Sequence, residues 1–163
     1  MAIEITPSQA PGLLKDVFKA NLCPMIFGSP GTSKSAIMKQ IADSVNLKLV
    51  DVRLSQLDPC DMSGLPTFNT DRTRSQFAPT SLFPLVGDSI PLNDDGVKYN
   101  GWLIFLDELN TAPQLMQAAS YRLILDRQVG TYDLHPSVFI AAAGNLASDK
   151  AITNRMGTAM QSR

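Results

Sequence analysis

The segment Gly28-Ser29-Pro30-Gly31-Thr32-Ser33-Lys34-Ser35 sets small residues, a lysine and a hydroxyl side by side. Small residues let successive backbone N–H groups curl round an anion, and a lysine at the following helix start adds a full positive charge. In such a phosphate loop Lys34 neutralises the β and γ phosphates of a nucleotide, and the Ser35 hydroxyl faces Mg²⁺. The pattern G-x-x-x-x-G-K-[ST] has its second glycine where this chain has Ser33. A serine fits there if its backbone dihedrals are ordinary. Without a ligand, the same residues read as a Gly/Pro/Ser turn ahead of a helix.

Three further features carry chemistry. The apolar run 102–106 ends in Asp107-Glu108, and acids at the end of a buried strand need partners or a task. Beside a phosphate loop, Asp107 would hold Mg²⁺ through water, and Glu108 would orient and deprotonate an attacking water. Alone, the pair reads equally well as a solvated turn. Asn145 follows the apolar run 138–143 and Gly144, where its amide can bond a water or a γ-phosphate. Capping a turn is the commoner task of such an Asn. Arg155 and Arg163 are guanidinium groups that a neighbouring subunit could use to stabilise a transferring phosphate.

These groups must be held by an alternation of strands and helices. Residues 7–20 read as an amphipathic helix, with Leu13, Leu14, Val17 and Phe18 on one face and Pro7 in its first turn. Residues 22–27 read as a buried strand that stops at Gly28. A helix starts near Lys34, with Ile37, Ile41 and Val45 four residues apart, and stops at Asn46. Residues 47–54 are strand-like. Residues 55–100 hold five prolines and no sustained period, so they read as an irregular insertion with short elements. Buried strands are expected at 102–106 and 138–143. Between them a helix opens at Pro113, carries Leu115, Met116, Ala119 and Leu123, and ends near Gly130, with a short hairpin over 129–134. Apolar strands alternating with helices predict an α/β fold: a parallel sheet with helices on both faces, ligands binding at the carboxyl ends of the strands.

The order of these motifs resembles the AAA+ ATPases, and within them the MoxR-type branch. The resemblance is carried by GSPGTSKS at 28–35, LSQLDPCDMSGLP at 54–66, WLIFLDELNTAP at 102–113 and VFIAAAGN at 138–145, and it covers nearly the whole chain. It implies a three-layer P-loop NTPase core binding ATP and Mg²⁺ at a subunit interface, usually in a six-membered ring. It makes Asn145 the sensor-1 residue, with Arg163 the best match for a trans-acting arginine finger and Arg155 the second choice. It also implies work as a remodelling chaperone on a protein client, commonly with a von Willebrand A-domain partner. The family pattern continues with a further core strand and a helical lid carrying a sensor-2 arginine. The expectation is therefore one incomplete core over 1–163, lacking the lid.

Composition narrows the alternatives. With 44% apolar and 18% charged residues, the chain has a globular balance, and 163 residues suit one domain. A net charge of −1 argues against a generic polyanion binder, so nucleic acid is a less favoured partner than protein. Cys23 and Cys60 form no CxxC, which argues against a disulfide scaffold or zinc module and fits a reduced compartment. The amino terminus has no signal-peptide pattern, and no apolar run is long enough for a bilayer, so a cytoplasmic protein is expected. His135, Cys23 and the Asp94-Asp95 pair read as structural or solvated. The favoured function is Mg²⁺-dependent ATP hydrolysis. The alternatives are a nucleotide-binding switch or assembly module with little turnover and, less favoured, a small-molecule kinase.

Overall fold

The computed structural model describes residues 3–29 and 31–146. In chain order these form α1 (Ala10–Lys19), β1 (Met25–Phe27), α2 (Lys34–Ser44), β2 (Lys48–Arg53), α3 (Pro59–Ser63), β3 (Leu65–Phe68), β4 (Ser75–Ala78), β5 (Trp102–Asp107), α4 (Gln114–Leu125), β6 (Gln128–Val129), β7 (Tyr132–Asp133) and β8 (Val138–Gly144). Four of the strands make one parallel sheet in the order β1-β8-β5-β2. The chain is thus α/β, a parallel sheet flanked by helices as in a P-loop NTPase core.

Strand parity decides which helix each side chain meets. Along β5, Trp102, Ile104 and Leu106 enter one core with Met116 and Leu123 of α4, while Leu103 and Phe105 enter a second core with Leu14 and Phe18 of α1 and Met38 and Ile41 of α2. The next residue in the second series is Asp107, which therefore falls on the α2 side of the sheet. In β8, Ile140 and Ala142 join the first core, and Ala141 and Ala143 the second. Asn145 continues the α2-side series. Both central strands are apolar on both faces because both faces are covered.

Several expected boundaries shift. The first helix begins at Ala10 rather than residue 7, because the Thr6 N–H donates to Gln9 Oε1 and the Thr6 carbonyl accepts the Gln9 and Ala10 N–H groups, closing a turn first. Pro11, not Pro7, then falls in the first helical turn, where a missing N–H costs nothing. Leu14 and Phe18 bury, but Leu13 is outward. The strand expected at 22–27 is only Met25–Phe27, at the edge of the described sheet, and Phe27 is exposed. In α4 the inward stripe is Met116, Gln117, Ser120 and Leu123, and Leu115 points to solvent. The two buried polar members are satisfied locally: Gln117 Nε2 donates to the Ala112 carbonyl and Ser120 Oγ to that of Met116. This helix ends at Leu125, not near Gly130, and Arg127 follows with φ 55°. Gly130 instead turns the β6–β7 hairpin.

Residues 55–100 contribute more than surface. Met62 of α3 and Phe83 are buried in the α4-side core, and β3 and β4 form an antiparallel hairpin. Among the described residues no helix is long and apolar enough to cross a membrane.

Candidate functional site

The carboxyl ends of β1, β8 and β5 bring the singled-out residues together. Gly28 N–H donates to the Gly144 carbonyl, joining the start of the phosphate loop to the end of β8. Within the loop, Thr32 N–H and Oγ1 both donate to the Ser29 carbonyl, at 3.2 and 2.7 Å. Gly31 has φ 81°, a conformation that favours glycine. Pro30 lies outside the described residues.

Ser33 does not have ordinary dihedrals. It lies in the left-handed region at φ 57°, ψ 29°, as the residue before α2, and its side chain makes no capping bond. Ser33 thus holds a left-handed conformation that glycine adopts more readily, at a cost in strain. In the first turn of α2, backbone N–H groups have no helical acceptor and carry the positive end of the helix dipole.

Lys34 Nζ lies at the centre of the site. It donates to the Gly28 carbonyl at 2.8 Å, the Ser29 carbonyl at 3.3 Å and Asn145 Oδ1 at 3.2 Å. The last contact spans 111 residues of sequence and joins the phosphate loop to the end of β8. On the neighbouring strand, Ser35 Oγ lies 3.5 Å from Asp107 Oδ2, while Asp107 Oδ1 accepts the Glu108 N–H at 2.8 Å. A hydroxyl and a carboxylate are hard oxygen donors of the kind Mg²⁺ takes, the rest of its shell being water and phosphate. Among the described residues no group of three or more His, Cys, Asp or Glu side chains could hold a metal ion.

Glu108 has φ 61°, which turns the chain sharply off β5. Its carbonyl takes Thr111 N–H, Ala112 N–H and Thr111 Oγ1, at 3.1, 3.0 and 3.0 Å. Strained backbone held by surrounding bonds is a feature of functional sites. The adjoining β2 adds charge: Arg53 is in register with Asp107. Burial, opposed by Arg53 and reinforced by Asp107, raises the Asp51 carboxyl above its ordinary value.

One residue of this cluster was given no role of its own by the sequence reading. Asn110 is buried, its Nδ2 donates to the Asn145 carbonyl at 2.7 Å, and its Oδ1 accepts the Asn145 N–H at 2.9 Å. The available signal was its place two residues after the acidic pair. Arg155 and Arg163 lie outside the described residues. His135 is far from this chemistry in role: its ring packs edge-on against Trp102 and its Nδ1 accepts the Ser137 N–H. Cys23 is half-buried, and burial pushes its thiol up to about 12, against a lowering by Arg127; Cys60 is exposed.

No protein-family model matches the sequence, and no curated protein does. Solved structures match the fold. A candidate ATPase from Cytophaga hutchinsonii aligns over 94% of this chain and 42% of its own, with TM-score 0.60 and 18% identity. NtrX from Brucella abortus aligns over 91% of this chain and 32% of its own, with TM-score 0.51 and 16% identity. The chain thus spans less than half the length of either protein. At such identities the likeness is one of fold, and the fold shared is the P-loop NTPase core.

Proposed function

We propose that the chain binds ATP with Mg²⁺ and hydrolyses it, as an AAA+ core of MoxR-like type working on a protein partner within a homo-oligomeric ring. The observation that carries the reading is the convergence of Lys34 on Asn145 and of Ser35 on Asp107 at one end of one sheet. Gly28, Ser29, Pro30, Gly31, Thr32 and Ser33 supply the loop round the phosphates. Lys34 exchanges part of its carbonyl bonding for phosphate oxygens. Ser35 and, through water, Asp107 would hold Mg²⁺, which would supply neutralisation of phosphate charge. Glu108 takes a proton from water aimed at the γ-phosphate, and Asn145 contacts that water or the phosphate. Arg163, or second Arg155, acts on a neighbour's nucleotide. A von Willebrand A-domain protein is the partner class that the resemblance favours.

The test compares two variants by nucleotide titration and by phosphate release. Lys34→Ala should weaken ATP binding at least about 100-fold, the size of losing charge-assisted bonds in a phosphate site. Glu108→Gln should bind ATP as the wild type does and release no phosphate. Retained tight binding in the first, or normal turnover in the second, sinks the assignment. A second reading, a nucleotide-binding switch with little turnover, is favoured by the left-handed Ser33. It predicts ATP binding by wild type with no phosphate release.

A further inference from the structure

We propose that Asn110 is a positioning residue that joins the acidic turn and Asn145 into one unit, so that a γ-phosphate met by Asn145 is registered at Glu108. The inference rests on the ATP-site reading above. Its basis is a pair of reciprocal bonds. The Asn110 amide meets both backbone groups of Asn145, at 2.7 and 2.9 Å, as a paired strand would, though β8 has already ended at Gly144. The pairing fixes which end of the amide is which, since the reverse orientation would set donor against donor. The neighbouring backbone agrees with it, as Leu109 N–H donates to the Ala143 carbonyl at 2.9 Å. The approach is too close for any side chain at position 144, where a Cβ would lie 2.8 Å from Asn110 Oδ1. Each end of the unit then reaches the chemistry. Asn145 Oδ1 accepts from Lys34 Nζ, and the Glu108 carbonyl is tied by Thr111 and Ala112, which follow Asn110 directly. A shift of Asn145 by about an ångström must drag the turn that aims Glu108, because buried amides give up such bonds only at a cost.

Asn110→Asp tests this with almost no change of shape. As a carboxylate, Asp accepts the Asn145 N–H but sets a second oxygen against the Asn145 carbonyl. Once protonated, it donates there again. The Lys34 ammonium is linked to it through Asn145, and Glu108 and Asp107 stand two and three positions before it in the chain. Binding of ADP and of a non-hydrolysable ATP analogue to the full chain, with Mg²⁺, is measured for variant and wild type at each pH. We expect ADP affinity within about twofold of wild type and ATP-analogue affinity down about tenfold at about pH 8, the worth of one misplaced bond to a charged group. Discrimination should return towards wild type at about pH 5.5, as the buried carboxyl takes up its proton. Equal weakening of both nucleotides, or unchanged discrimination at all pH values, overturns the proposal. Amide exchange in the wild type guards against a variant that fails to fold. The Asn145 N–H should be protected like those inside β8, and free exchange there also overturns the proposal. A wild type that binds neither nucleotide is a different failure, that of the site reading itself.

Discussion

At the scale of single residues, Ser33 has the most to say about the phosphate loop. It adopts φ 57° where the pattern would have glycine, and a left-handed L-residue costs about 1–2 kcal/mol. Part of that is offset by the smaller entropy loss of serine relative to glycine. Ser33→Gly should therefore raise stability by about 0.5–1 kcal/mol and leave the loop free to close on phosphate more tightly. Urea unfolding at constant slope reads the first effect, and a loss of stability would show that the serine is unstrained. Glu108 is the second such residue, at φ 61°, but there three donors on its carbonyl hold the turn.

At the scale of elements, β5 is the part on which the site depends. Ile104 is fully buried in mid-strand, in register with Val50 of β2 and Ile140 of β8, and packs in the α4-side core three residues before Asp107. Ile104→Ala should cost about 2–5 kcal/mol, from lost burial and the cavity left behind. Leu115→Ala is the matched control. It lies on α4 but points outward, so its effect should stay within about 0.5 kcal/mol. The two unfolding midpoints check the helix phase directly, and a large loss at Leu115 would mean that the outward face is covered. Periodicity placed Met116, Ala119 and Leu123 on the core side correctly and misplaced only Leu115. What it missed is that the buried face also takes Gln117 and Ser120, whose side chains bond carbonyls of their own chain segment.

At the scale of the whole molecule, the proposed mechanism shares its site with a neighbour. An arginine acting in trans works only within an assembly. Phosphate release per subunit should therefore rise with protein concentration and level off once rings are populated. A rate independent of concentration would point to a self-contained site. Net charge of −1 gives little long-range repulsion between copies, so assembly does not require high salt.

The sequence by itself determined the α/β alternation, the apolar central strands and the end of the sheet where polar groups gather. These follow from short-range rules: side-chain parity in strands, helical spacing, and the cost of burying acids without partners. Only the tertiary structure decided the left-handed Ser33, the outward Leu115, the core role of Phe83 and the two-bond contact of Asn110 with Asn145. The physical reason is distance along the chain. Asn110 and Asn145 are 35 residues apart and Lys34 and Asn145 are 111 apart, so their meeting depends on the register of β1, β5 and β8. No local pattern encodes that register; it emerges when both faces of the central strands are buried at once.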